Sequence, residues 1–533
     1  MSFNILPNSK TRTIHQPIST TRQPMPGVRS GADHNNWLQS KQLHDNAPPD
    51  LWRIHNKLYD LTSFVQYHPG GVQWIKWTQG TDCTESFESH HLDAPKVEAM
   101  LSNFYVRDCN DLGLLEPMAT PINKKDLNNP MPTNNASTIR SKENNVARLR
   151  ALTIPPEIVA RSNPSNTFLY DSKGLYPTLK QRVLSTLLQK TNATTVTEAT
   201  GPTTSMKIAC AVIVGQFAVT HTIAARFGSF LSAVLAGVSL VGCWGVGHNA
   251  MHQADKTWTL WRYAVDLTTW SSRTTRITHC LSHHQYPNMH QDWEASSIEK
   301  VFPFLPDSRG NQLEVPKKLK KSWVIFLAVT AWHTALNKLK WLMDAITKRK
   351  GYRNVSLDQW VHALPTLQLF HYVHCQGLFK GFMLFAVQMG TFVSLFTPFA
   401  IAVHHSGKKG GSTGTMDRDT AAWQQGDSNV EIDYGRHAIA ATSDHSLRLS
   451  DGTFFGNYLS LLLFGYLNDH TAHHLFPSID HSKHYLYRDV MFRTFREFKV
   501  EYNTNNVFEL VKGLQTLIEN KKVNVNDMMR NIG

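Results

Sequence analysis

The chain reads GHNAMHQAD over 247–255, THCLSHHQYPN over 278–288 and NDHTAHHLFP over 468–477. On an α-helix, residues spaced i, i+3 and i+4 lie on one face. His248 and His252 therefore project together, and so do His470, His473 and His474. The middle stretch adds His279, His283 and His284. Neutral imidazole is the commonest protein metal ligand, and helix-spaced pairs offer two nitrogens to one ion. A single HxxxH is usually a polar surface pair. Three such clusters in one chain point to a shared metal site.

The apolar runs around these clusters predict the architecture. Ile208–Ala225 and Gly228–Gly247 carry no charged residue, and each is long enough to cross a hydrocarbon core of about 30 Å. Arg226 and Gly228 mark the turn between them, and His248 follows the second run. Gly381–Val403 is a further span. Its partner is either Val361–Phe379, which makes a tight hairpin with it, or the shorter Trp323–Leu336. The second choice strands Lys338, Lys340, Lys348, Arg349, Lys350 and Arg353 on the far side, against the positive-inside tendency. Spans at about 208–225, 228–247, 361–379 and 381–403 are expected, with every histidine cluster on one side. Phe454–Leu467 is apolar but too short to cross and is expected to carry Asp469 and His470 to the site.

Composition agrees. The 533 residues allow more than one domain, and the formal net charge is +13. Mean hydropathy is −0.31 because polar stretches dilute the apolar runs. No long Lys/Arg block is interleaved with aromatics, so the excess reads as membrane-surface charge and not as a nucleic-acid footprint. The six cysteines form no CxxC pair, which argues against a zinc ribbon or a disulfide framework. MSFNILPNSKTRTIHQP has no apolar core of a secretory signal.

Upstream, residues 1–35 have the composition of a disordered tail. Between 36 and 110 the chain contains WRIHNKLYDLTSFVQYHPGG and WIKWTQGTDCTESFESHH. Trp52, Ile54, Leu58 and Tyr59 read as short strands, and His68-Pro69-Gly70-Gly71 as a turn delivering a histidine to a cleft. TESFESHH reads as a helix bearing His90 and His91. Imidazoles on opposite walls of an apolar slot can ligate a haem iron axially. Residues 111–165 are rich in Asn, Pro, Thr and Lys and read as a flexible linker that lets a redox head swing against a second domain. That domain runs over 166–520, opening with an amphipathic helix at a membrane surface, and 521–533 is a tail. GKKGGSTGT (407–415) reads as an exposed insertion.

Eight box histidines exceed the needs of one open-site metal, and two irons fit the count better. Cleaving an unactivated C–H bond takes O₂, two electrons and a site sealed from water. The haem domain is an electron source, and the membrane places a lipid chain beside the metals. Zinc also accepts histidines, but a redox-silent ion leaves the haem without a purpose. Asp255, Asp292, Glu294 and Asp469 are available to orient imidazoles.

Residues 36–110 resemble a cytochrome b5 domain, since the order W…YD…F…HPGG…G.D.T..F…H is kept. The resemblance implies haem b with His68 as one axial ligand. Fused domains of this kind place the second ligand nine residues after the Asp of the G.D.T motif. Counted from Asp82, that is His91, with His90 as the neighbouring alternative. Over 36–490 the chain is similar to a cytochrome b5 domain fused to a membrane fatty-acid desaturase domain. The motifs HNAMHQAD, LSHHQYPN and DHTAHHLFPSIDH align it with the cytochrome b5-related proteins, which are similar to front-end desaturases.

This resemblance implies a small α+β haem domain followed by an all-α, four-span membrane domain with a cytosolic histidine-rich cap. It implies two non-haem iron ions held by His248, His252, His279, His283, His284, His470, His473 and His474, with a further ligand at His404 or His405. O₂ is the implied co-substrate, cytochrome b5 reductase the donor and a fatty-acyl lipid the substrate, in the endoplasmic reticulum. Two features depart from the pattern. The second box is HxxxHH where most desaturases show HxxHH, and the third begins with His470 where front-end desaturases carry Gln. Front-end regiochemistry is therefore not implied. A lipid hydroxylase using the same metals, and a catalytically silent membrane-anchored electron carrier, are the competing readings.

Overall fold

The computed structural model describes residues 37–109, 168–287, 292–294, 360–405 and 433–512 with few interruptions, and scattered residues between 338 and 347. The 1–35 tail, the 111–165 linker, Trp323–Leu336, the 407–415 insertion, Asp255 and the 521–533 tail lie outside the described residues.

In the first unit, β1 (Trp52–Ile54), β2 (Lys57–Tyr59) and β3 (Tyr105–Asp108) form an antiparallel sheet in the order β1-β2-β3, with Trp52 opposite Tyr59. His68 to Gly71 is a turn closed by Gly71 N–H donating to His68 O at 3.0 Å. Gly71 has φ +103, a conformation that only glycine adopts without strain. Helices α1 (Val72–Thr78), α2 (Thr84–His90) and α3 (Ala94–Leu101) complete the unit. Trp52, Ile54, Tyr59, Leu61 and Phe87 form its core. The expected strands, turn and helix are all present.

The second unit is helical. Among the described residues, three helices are long and apolar enough to cross a membrane: α5 (Thr204–Phe227), α6 (Phe230–Met251) and the stretch Leu378–Phe396 of α9 (Leu378–His405). The Thr203 side chain accepts from Met206 N–H to cap α5, and Ser229 accepts from Ser232 N–H to cap α6. Gly228, at φ +61, supplies the left-handed residue that ends α5 and turns the chain. Helix α6 is the central strut. Its glycines let neighbours approach at backbone distance, as small residues do in membrane bundles. A Cβ on Gly237 would lie 2.4 Å from Gln388 O of α9, and one on Gly245 would lie 2.6 Å from Gly465 O.

The segment expected as the span 361–379 begins with a 3₁₀ turn at Val361–Ala363 that leads into α8 (Leu364–Gln376). Polar side chains tie it sideways, with His371 Nδ1 3.1 Å from His221 Nε2 and Gln368 donating to Leu267 O at 2.9 Å. It does make the hairpin with α9. The amphipathic helix α4 (Leu175–Thr191) does not turn its apolar stripe to a membrane surface. Leu175, Leu179, Val183 and Leu187 are buried in protein, in one core with Ala438 and Ile439 of α10 (Tyr434–Ala441) and with Tyr487, Met491 and Phe495 of α13 (His484–Glu497). Finally, α6 runs past Gly247 to Met251, so the first box lies in the last turn of that helix and not after it.

The haem-type unit is docked on the helical unit. Trp37 packs with Ile277 and Leu281, and Trp74 and Trp77 of α1 pack against this cluster. The Arg276 guanidinium lies 4.5 Å from the Trp74 ring centre and 4.8 Å from that of Trp77. The expected swinging head is, in this structure, a seated one.

Candidate metal centre

Three helices and their caps deliver the eight box histidines, all of them buried. His248 sits in the last turn of α6 and His252 at its C-terminal cap, so the i, i+4 spacing holds and their ring centres are 5.2 Å apart. The second box lies on α7 (Arg276–His283), a π-helix. In an α-helix, His284 would lie about 140° round the axis from His279 at ~100° per residue. Here His284 N–H donates to His279 O at 2.8 Å, the i→i+5 bond of π geometry, which brings the two residues back to one side. The extra residue of HxxxHH is thereby absorbed. The third box lies on α12 (His470–Leu475), reached from α11 (Phe454–Phe464) through a 3₁₀ turn at Leu467–Asp469. Helix α11 packs on α5 and α6 and does not span.

The histidines form two groups. His248, His252, His279, His284 and His473 make one, with ligand-type nitrogens all within 4.8 Å of one another. His283, His470 and His474 make the other. The three histidines of the third box therefore do not face one ion, contrary to the helical-face expectation. His473 serves the first group, and His470 and His474 the second. His248 Nε2 lies 2.7 Å from His279 Nε2 and 3.1 Å from His473 Nε2, and His279 Nε2 lies 3.0 Å from His284 Nε2. A neutral imidazole carries one N–H, so four such nitrogens facing one another cannot be served by hydrogen bonds alone. Around an ion with metal–nitrogen bonds of about 2.1 Å, neighbouring nitrogens sit about 3 Å apart. The donor set fits a metal. Buried Nδ1 atoms of His248, His252 and His284 have no hydrogen-bond partner.

Outer groups orient these rings. His283 Nδ1 lies 2.7 Å from Asp292 Oδ2, and His279 Nδ1 3.1 Å from Glu294 Oε2. Burial opposes charge on His283, but the Asp292 carboxylate outweighs it and raises the imidazole above its ordinary value. Asp469 does not bond a box histidine; it pairs with Arg488 at 3.0 Å. Sequence reasoning missed His481. Its Nε2 lies 2.9 Å from His473 Nδ1, which leaves His473 Nε2 turned to the first group. It closes the motif DHTAHHLFPSIDH, but its spacing lies outside any helix-face pattern. Asn249, between the two histidines of the first box, donates to Asp480 Oδ2 at 2.8 Å and so ties α6 to the loop carrying His481. The Trp244 ring stacks on His248 at 4.6 Å and meets Phe396 at 4.3 Å, closing the site toward the apolar helices. His404 and His405 lie in the last turn of α9, and their side chains are outside the described residues.

In the docked unit, the His68 and His91 ring centres are 6.2 Å apart. His68 Nδ1 lies 3.2 Å from Gly71 O and His91 Nδ1 lies 2.8 Å from Phe87 O, so each ring donates to a carbonyl and keeps Nε2 for the space between. Burial pushes His91 down to about 4, the neutral state a ligand needs. His90 faces elsewhere. It packs on Trp74, and its ring lies over His252, 6.4 Å away with planes 21° apart.

The Fatty acid desaturase family model matches residues 226–506. The Cytochrome b5-like Heme/Steroid binding domain model matches residues 37–110. The chain is 28% identical over 490 residues to the Cytochrome b5-related protein of Drosophila melanogaster, covering 90% of each. It is 45% identical over 74 residues to the Cytochrome b5-related protein of Drosophila virilis, covering 14% of this chain and 51% of that one. It is 39% identical over 79 residues to a Nitrate reductase [NADH] of Lotus japonicus, covering 15% of this chain and 9% of that one. The histidine boxes fall inside the first model and the paired His68 and His91 inside the second. The chain belongs to the fatty acid desaturase family, an oxidoreductase of the desaturase type carrying a cytochrome b5-like domain.

Proposed function

We propose that this oxidoreductase desaturates a lipid acyl chain with O₂, using two irons in its two histidine groups and electrons from its own haem domain. The observation that carries the reading is the convergence of eight buried histidines in a group of five and a group of three, with a haem-type unit seated directly on the helix that bears the second box. When bound, iron supplies the oxidising power for C–H cleavage and haem the stored electron.

The residues of the chain do the rest. His248, His252, His279, His284 and His473 would hold one iron, and His283, His470 and His474 the other, with His404 or His405 as a further donor. His68 and His91 would hold haem b between them. Asp292 and Glu294 fix the orientation of His283 and His279. Trp244, stacked on His248 and in contact with Phe396, gives the metals an apolar wall toward the membrane-spanning helices.

The proposal includes four membrane crossings, with 361–379 or 323–336 as the fourth. It places the haem domain and the boxes in the cytosol at the endoplasmic reticulum, with cytochrome b5 reductase as the donor. Expression in cells lacking endogenous desaturases, followed by lipid profiling, tests it. A new double bond that disappears in His283→Ala is the expected result. A hydroxylated lipid would point to the hydroxylase instead, and an unchanged profile from protein loaded with both metals would contradict the proposal.

A further inference from the structure

The interface between the two units is a built feature, and its chemistry bears on how electrons cross it. Helix α2 ends at His90, and its last carbonyls need donors. Lys180 of α4 supplies one, donating to Glu88 O at 2.8 Å and to Glu88 Oε2 at 2.9 Å. A cation at a helix C-terminus is also favoured by the helix dipole. Ser89 Oγ donates to Gln285 Oε1 at 3.3 Å, one residue beyond the second box, and Tyr286 Oη donates to Glu85 Oε2 at 3.1 Å. Helix α2 is thus held beside the second histidine box by contacts along its length, from Glu85 in its first turn to Ser89 near its end.

That end carries His90 and His91 in succession. His91 turns into the haem-type cleft, toward His68. His90 turns the other way, and its ring lies nearly parallel to that of His252, a member of the five-histidine group. Its orientation is fixed: Nδ1 lies 2.9 Å from Ser89 Oγ and 3.1 Å from Ser86 O, and Trp74 covers it. One peptide unit and one ring-to-ring contact therefore connect the cleft of the haem domain to the metal centre.

We propose that His90 is the bridge by which electrons leave the haem domain, and that His252 is the point at which they enter the metal centre. The inference rests on the two-cofactor reading above. In each transfer the ferrous haem iron gives up one electron and becomes ferric, and a ferric iron of the cluster takes it and becomes ferrous. A second transfer serves the second iron. No bond to His90 forms or breaks and no proton passes through it; the ring fills part of the gap with covalently bonded atoms and shortens the through-space step to the ring contact with His252. His90 is a positioning residue and not a ligand.

The test uses the full-length protein carrying haem and iron, without O₂ or lipid. A photoexcited flavin reduces the haem in a flash, and haem reoxidation is followed by its absorption bands. Wild type should reoxidise its haem as the electron moves to the cluster. His90→Ala should slow this step by an order of magnitude or more, with haem spectrum, haem potential and iron content unchanged. His90→Phe, which keeps a ring over His252, should restore most of the rate. Reoxidation of His90→Ala at the wild-type rate would overturn the inference alone. So would loss of the six-coordinate haem spectrum in His90→Ala, which would make His90 a ligand, and so would equal slowing in both variants, which would implicate the interface and not the ring. An iron-loaded wild type whose haem stays reduced would overturn the two-cofactor reading and the bridge with it.

Discussion

Glu88 of the haem-type domain and Lys180 of the helical domain meet in a buried ion pair of 2.9 Å, although they lie on opposite sides of the linker sequence. Burial alone would raise the Glu88 carboxyl, but the His55 hydrogen bond and the Lys180 charge hold it at about 2. Removing one partner of a buried pair costs about 3–5 kcal/mol, because the other charge is left uncompensated. Lys180→Met is therefore expected to unseat the haem domain while both units keep their folds. Cross-linking between cysteines introduced at Trp77 and Arg273, whose side chains approach across the boundary, should fall sharply in this variant, with the haem spectrum retained.

The same carboxylate makes the haem domain sensitive to pH in a defined direction. His55 Nε2 lies 2.8 Å from Glu88 Oε1; burial opposes its protonation, but the Glu88 contact raises it above its ordinary value. A raised histidine contributes stability that is present below its unfolded value and lost as pH rises through the folded one. Glu88 itself stays ionised down to about 2, so it does not cancel the effect at mild acidity. The gap in thermal midpoint between wild type and His55→Phe should widen as pH falls from about 8 to about 5. A gap independent of pH would show that the pair is not coupled.

Gly245 allows the turn before the third box to touch the strut that carries the first. A Cβ there would lie 2.6 Å from Gly465 O and 2.8 Å from Gly465 Cα, both backbone atoms that cannot move aside cheaply. Gly245→Val is expected to cost about 1–3 kcal/mol through overpacking and to pull the third box from the first. Non-haem iron should drop in this variant, with haem content unchanged.

His481 should act on metal affinity through His473. Groups that fix a ligating imidazole typically change affinity by about 10–100-fold when removed. His481→Ala is expected to weaken iron retention on dialysis against a chelator by an amount in that range, and His481→Gln, which can still bond His473 Nδ1, by less. Equal retention in all three proteins would leave His481 as packing alone.

The sequence exposes the features that recur at short range and hides those that depend on long-range contact. His248 and His252 obey helical spacing, and the strands at Trp52–Tyr59 and the His68–Gly71 turn follow from local patterns. The division of His470, His473 and His474 between two groups was not legible, because spacing on one short helix is silent about what surrounds it. The π-helix was hidden in the same way. HxxxHH looks like a departure from HxxHH until the i→i+5 bond from His284 to His279 shows how the added residue is taken up. Helix α4 reads as amphipathic in either setting, and only the packing of α13 against it shows that its stripe faces protein. The docking of the haem domain left no local signal either: Trp74, Trp77 and Arg276 meet across some two hundred residues of chain.

The five-histidine and three-histidine groups are proposed as two iron sites in one chain with one haem. Metal and haem analysis of the purified full-length protein, with His473→Ala beside it, tests this most directly. Two non-haem irons and one haem per chain are expected for wild type, because His473 Nε2 lies among the nitrogens of the larger group. In His473→Ala, non-haem iron should fall while haem stays at one per chain, since His68 and His91 are untouched. Haem alone in the wild type, or full non-haem iron in His473→Ala, would contradict the account.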